Sequence, residues 1–173
     1  FNAPTDLFVA PDDRIYMVDA GNDRIVILTE ELEVERILDS FTLDGQQVSV
    51  KGITGIFVHT DGKLYMADKD NGRILVADEN GSIEKVITRP ESNILTDGST
   101  TNTFLPAKIL VDSRDTIYMI SENSTQGAYM LSMDGEFLGY YGRNKVLLTW
   151  ERLYEATLRR FASDEQREIM ENF

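Results

Sequence analysis

The 173-residue chain has no cysteine and one histidine. The first absence excludes disulfides, thiolate metal sites and cysteine nucleophiles. The second leaves no material for a histidine metal cluster or a serine triad. No apolar run is long enough to cross a bilayer as a helix. Positive charge is scarce: 17 Lys and Arg stand against 30 Asp and Glu, a formal net charge of -13. With no basic patch, the chain is not expected to bind a nucleic-acid backbone or an anionic membrane surface. Gly-rich phosphate loops, nucleophile elbows and His-Glu metalloprotease helices are also missing. What is present is 42% hydrophobic and 27% charged, the make-up of a folded domain.

Composition changes near residue 145. The first 144 residues carry -12 of the net -13 and are rich in Val, Ile, Tyr, Gly and Asp. Beyond them come Leu, Glu and Arg, with no Gly or Pro. Strand-and-turn chemistry therefore gives way to helix chemistry. Leu147, Trp150, Tyr154, Leu158 and Phe161 recur at helical spacing, and Ser163 precedes Asp164-Glu165-Gln166 as a capping box. Two helices are expected over 145–173, packed on the rest or docking a partner, with Leu147, Trp150 and Tyr154 buried.

Three repeats organise residues 1–144. Their cores are Ile15-Tyr16-Met17-Val18-Asp19, Leu64-Tyr65-Met66-Ala67-Asp68 and Ile117-Tyr118-Met119-Ile120-Ser121. Each core follows an apolar strand and a tight turn, then leads into a third and a fourth strand. Four short antiparallel strands repeated three times predict propeller blades over about 1–43, 50–91 and 104–143. A sandwich of hairpins is the rival, but it does not require the same Tyr-Met step in every unit. The expected class is mainly β, a partial propeller followed by a helical hairpin. Tyr16, Tyr65 and Tyr118 are expected to pack in the blade cores rather than to stack on a sugar, given their regular place in alternating strands.

The pattern resembles the NHL repeat. Asn22-Asp23-Arg24-Ile25 and Asn71-Gly72-Arg73-Ile74 carry its Asn-x-Arg-Ile element. Its Pro-x-Gly element is split: Pro4-Thr5-Asp6 and Pro106-Ala107-Lys108 keep the Pro, and Ile53-Thr54-Gly55 keeps the Gly. The third unit departs further, with Ser121 for Asp and no Arg after Asn123. The tail segment Asp164–Met170 is similar to a helical insertion in bacterial proteins whose NHL repeats precede a Yip-type membrane domain. That likeness implies further blades, a membrane anchor in the parent protein and a place outside the cytoplasm.

Three blades do not close a ring, for which about four to eight are needed. The chain therefore reads as part of a longer protein, as an arc completed by another copy, or as blades capped by the tail. Strand parity puts the connections within blades from strand two to three, and those between blades, on one face. Residues 39–52 and 88–105 are expected there as elaborated loops, and binding usually resides on such loops. The candidate ligand-binding residues on that face are Asp19, Asn22, Arg24, Asp68, Asn71, Arg73 and Asn123. No cofactor is expected, and calcium is the one metal that the acidic residues would suit. Asp19 and Asp68 have a plainer role as partners of Arg24 and Arg73. His59 reads as a turn residue. The functional expectation is a non-catalytic scaffold for a protein, peptide or glycan. The alternative is a fragment of a metal-dependent six-bladed lactonase or hydrolase, or of an NHL-type lyase.

Overall fold

In the computed structural model, residues 1–91, 104–122, 124 and 126–142 are described, all within a compact unit spanning Phe1–Arg143. The expected helices at 145–173, with Leu147, Trp150 and Tyr154, lie outside the described residues. So do Asn123 and most of the 88–105 connection.

The described residues form three four-stranded antiparallel sheets and one two-stranded hairpin. The first sheet contains β1 (Asp6–Val9), β2 (Ile15–Asp19), β3 (Arg24–Leu28) and β4 (Val34–Leu38). The hairpin is β5 (Phe41–Leu43) with β6 (Gln46–Val48). The second sheet contains β7 (Ile53–Val58), β8 (Leu64–Asp68), β9 (Arg73–Ala77) and β10 (Ile83–Ile87). The third contains β11 (Pro106–Val111), β12 (Ile117–Ser121), β13 (Ala128–Leu131) and β14 (Phe137–Tyr141). Each sheet follows chain order from first strand to fourth, as consecutive hairpins dictate.

The three sheets are blades fanned along their first strands: β1 packs on β7, and β7 on β11. Alternation along the strands gives each blade two faces. One core joins Tyr16, Val18, Ile25 and Ile27 of the first blade to Ile56, Val58, Leu64, Met66, Leu75 and Ala77 of the second. The next joins Phe57, Tyr65, Ala67, Ile74 and Val76 of the second blade to Ile109, Val111, Ile117, Met119, Tyr129 and Leu131 of the third. The first two blades thus turn their Tyr-bearing faces forward, each onto the opposite face of the blade after it. At the outer strands, Arg36 Nη1 donates to Glu79 O at 3.0 Å, and Lys85 Nζ donates to Met133 O at 2.8 Å. The same staple therefore closes both junctions.

Two expectations need correction. Residues 41–48 are a hairpin rather than open loop. Its turn is Asp44-Gly45, both at positive φ (50° and 76°), the backbone that a two-residue hairpin of matching twist requires. The hairpin is held against the second blade: Thr42 N donates to Gly81 O at 3.0 Å, and Phe41 is fully buried in the first core. Tyr118 also differs from Tyr16 and Tyr65. It belongs to neither core, because it points forward from the last described blade. Instead its hydroxyl donates to Asp112 Oδ2 at 3.2 Å and its ring meets Tyr141 edge-on.

Candidate functional site

The ends of second strands and the starts of first strands share one face of the arc, since Asp6 pairs with Val18, Ile53 with Asp68 and Pro106 with Ser121. The six described candidate residues lie on that face. Asp19 is completely buried at the end of β2. Its Oδ2 accepts from Asn22 Nδ2 at 2.8 Å and Arg24 Nε at 2.7 Å, and its Oδ1 accepts from Asn2 N at 2.6 Å. The Asn22 amide, the Asn2 N–H and the Arg24 guanidinium hold this carboxyl down to about 2. Asp68 repeats the arrangement, accepting from Asn71 Nδ2 at 2.8 Å and Arg73 Nε at 2.6 Å. The Asp and Asn side chains close the turn between strands two and three, and the Arg neutralises the buried charge. In the third blade, Ser121 Oγ accepts from Leu105 N at 2.8 Å, as Asp19 does from Asn2 N, so the smaller residue keeps the tie to the incoming chain.

The six described candidates are therefore two braces, each tying a turn to its strand. The brace of the second blade also grips the connection before it: Arg73 Nη2 donates to Ser49 O at 3.2 Å, and Asn71 Nδ2 to Lys51 O at 3.4 Å. Residues 49–51 are held in place by these bonds. Beside them lies a groove of about 370 Å³ lined by Asp23, Asp39, Gln47, Val48, Ser49, Val50 and Lys51. Lys51 Nζ stands 3.7 Å from Asp23 Oδ2 across it. A second surface pair, Lys69 with Glu122 at 2.9 Å, links the turns of the second and third blades, and the Glu122 carboxylate raises the Lys69 ammonium above its ordinary range. The groove offers two carboxylates, one side-chain amide, one hydroxyl and one lysine around Val48 and Val50, a lining suited to polar hydrogen-bonding ligands. Sequence reasoning picked out the 39–52 stretch but not Asp23, Gln47, Ser49 or Lys51. The missed signal was Asp44-Gly45, a pair suited to a two-residue hairpin turn.

A charged pair sits near the propeller axis. Asp6, Gly55 and Lys108 occupy the same position in the three first strands, each two residues before the residue opposite the blade tyrosine (Phe8, Phe57 and Leu110). This is the position of the Gly in the Pro-x-Gly element. Lys108 Nζ forms an ion pair with Asp6, and it also donates to Thr5 O at 3.2 Å. Asp6 Oδ2 accepts from Ile56 N at 2.9 Å. Between the two sits Gly55, where a Cβ would lie 2.5 Å from Ala107 O. The glycine lets the second and third first strands approach closely. Thr54 Oγ1, next to it, donates to Ala107 O at 3.2 Å. The two departures from Gly thus neutralise one another across the blade that keeps it.

His59 lies on the opposite face, with Nδ1 3.0 Å from Asp61 Oδ1 and Nε2 3.6 Å from Asp115 Oδ1. It belongs to a turn and bridges two blades. On that same side, Asp112 accepts from Thr116 N and Arg114 N, which lowers its carboxyl below the ordinary range.

No protein-family model matches the chain, and no curated protein matches it by sequence. Solved structures do match. A catalytically inactive virginiamycin B lyase from Staphylococcus aureus, crystallised with quinupristin, is 14% identical at a TM-score of 0.53, covering 79% of this chain and 40% of the lyase. The extracellular domain of the one-component system BT4673 from B. thetaiotaomicron is 12% identical at a TM-score of 0.53, covering 79% and 18%. PorZ, a bacterial surface component of the type-IX secretion system of Porphyromonas gingivalis, is 15% identical at a TM-score of 0.51, covering 80% and 21%. The chain thus spans two-fifths or less of the length of these three proteins. At such identities the shared property is the fold, and the chain is a segment of propeller-like architecture.

Proposed function

We propose that the chain is the non-catalytic scaffold part of an NHL-type propeller, presenting its loop face to a protein, peptide or glycan outside the cytoplasm, in a parent protein anchored to the membrane. The observation that carries this reading is how the Asp-Asn-Arg braces are used. Their side chains are spent internally, so the face is rigid, and the groove at Asp23, Gln47, Ser49 and Lys51 is what it offers outward. Rigid support with polar, accessible loops favours recognition over bond-making. Surface and extracellular proteins among the structural neighbours support the location.

Screening the protein against glycan and peptide arrays, followed by amide chemical-shift mapping of the hits, tests this. Shifts should cluster at residues 23 and 47–51, and Lys51→Glu together with Gln47→Ala should weaken binding at least about tenfold. Hits that map elsewhere, or that ignore both substitutions, would remove the reading. The lyase among the neighbours favours a second reading, a fragment of a metal-dependent propeller hydrolase or lyase. Stoichiometric calcium or zinc in the full-length parent, required for turnover, would favour that reading.

A further inference from the structure

The chain contains two Asn-Gly pairs, Asn71-Gly72 and Asn80-Gly81, both in turns of the second blade. Glycine has no side chain to keep its nitrogen from the Cγ of the preceding asparagine, so such pairs are open to succinimide formation. The two pairs share a backbone arrangement. Gly72 N donates to Lys69 O at 3.0 Å and Gly81 N to Asp78 O at 3.1 Å, and both glycines have positive φ, 60° and 84°. What differs is the asparagine side chain. Asn71 Nδ2 is held on Asp68 Oδ1 at 2.8 Å and reaches Lys51 O at 3.4 Å. The carboxylate it serves is fully buried. Asn80 is exposed, and among the described residues no hydrogen bond holds its Nδ2. Its Oδ1 meets Arg36 Nη1 of the first blade at 3.4 Å, the nitrogen that also donates to Glu79 O at 3.0 Å. One amide thus has a cation beside its carbonyl oxygen, and the other has a buried carboxylate on its nitrogen.

We infer that Asn80 is a site of spontaneous deamidation assisted by Arg36, and that Asn71 is protected by its brace. Gly81 N leaves its bond to Asp78 O, gives its proton to solvent and bonds to Asn80 Cγ. Negative charge gathers on Oδ1, where the Arg36 guanidinium stabilises it. The carbonyl then re-forms, and the Nδ2 group takes a proton from solvent and leaves as ammonia. Water opens the resulting succinimide at either carbonyl, giving aspartate or isoaspartate, with no change of oxidation state. At Asn71 the same attack has to distort an amide held by two bonds, and it develops negative charge beside the buried Asp68 carboxylate. At Asn80 the new carboxylate faces Arg36 and gains an ion pair. The isoaspartyl product also lengthens the main chain by a methylene just before Gly81, whose carbonyl accepts from Thr42 N. The modified turn therefore loosens the hold on β5.

The test is peptide mapping by mass spectrometry of the intact chain aged in mildly alkaline buffer, folded and in denaturant. Trypsin cuts after Lys69, Arg73 and Lys85, which puts the two asparagines in separate peptides. The mass gain of amide to carboxyl is followed in each. In the folded chain Asn80 should deamidate at least about tenfold faster than Asn71. In denaturant the two rates should converge, because the brace and the Arg36 contact are gone. Arg36→Gln should slow Asn80 in the folded chain at least about threefold, less than a buried oxyanion donor gives because the site is open to water. Arg36→Lys, which keeps the charge, should retain most of the rate. An unchanged slow rate at Asn71 would show that the second blade of each variant is folded. Equal rates at the two sites of the folded chain would overturn the inference. So would faster reaction at Asn71, a tenfold gap that persists in denaturant, or an Asn80 rate indifferent to Arg36→Gln.

Discussion

The second and third blades follow one sequence pattern and meet different surroundings. Ala67 is fully buried, whereas Ile120 at the same position is 56% exposed. Tyr65 lies in a core with its hydroxyl 3.7 Å from Met133 Sδ, whereas Tyr118 lies on an open face and bonds Asp112 instead. The larger residue is on the exposed side. The repeat thus dictates strand, turn and face, while position along the arc dictates burial and therefore the energetic weight of each residue.

The sharpest way to break this comparison is to truncate both tyrosines. Tyr65→Ala should cost about 3–5 kcal/mol by denaturant unfolding. Tyr118→Ala should cost under about 1 kcal/mol. Equal costs would mean that the two blades are not in the different environments described. Next in size is the axial glycine. Gly55→Ala places a methyl against Ala107 O and should destabilise by about 1–3 kcal/mol, because the obstacle is backbone. A neutral result would mean that the second and third first strands do not approach as described.

Much of this contrast was legible in the sequence and part was not. The Tyr-Met cores and the Asp-Gly turn at 61–62 mark where strands start and stop, since alternation and turn chemistry are local. The Asp19–Arg24 and Asp68–Arg73 braces were legible for the same reason, being five residues apart on adjoining strands. The 41–48 hairpin was legible in principle from Asp44-Gly45 but is obscured by its three-residue strands. Tyr118 was misplaced because periodicity reports which face a residue takes and not whether another blade covers that face. The Asp6–Lys108 pair, joining the ends of the arc across 102 positions, depends on how three blades curve and leaves no local trace.

That pair gives the next, smaller effect. Asp6→Lys or Lys108→Asp alone should destabilise by about 1 kcal/mol, and the double charge swap should recover part of it, since both groups are partly solvated. No recovery would mean that the two charges do not act on each other. The smallest effect is on pH dependence. The Asp19 carboxyl is held near 2 against an ordinary 3.8, so its contribution to stability is complete above pH 3.8 and is lost as pH falls through about 2. Unfolding midpoints should fall across that window, and Asp19→Asn should flatten part of the fall. An Asp19 carboxyl titrating near 3.8 by carbon-detected NMR would contradict the brace.

The account rests on consecutive blades stacking around one axis, and inter-blade ring contacts test this most directly. Phe8 and Phe57 have centroids 4.8 Å apart although 49 residues separate them, and Tyr65 reaches Met133 of the following blade. Nuclear Overhauser spectroscopy on a protein with labelled aromatic and methionine side chains should show Phe8–Phe57 and Tyr65–Met133 cross-peaks together. Strong cross-peaks within each four-stranded sheet, with none between sheets, would contradict the stack.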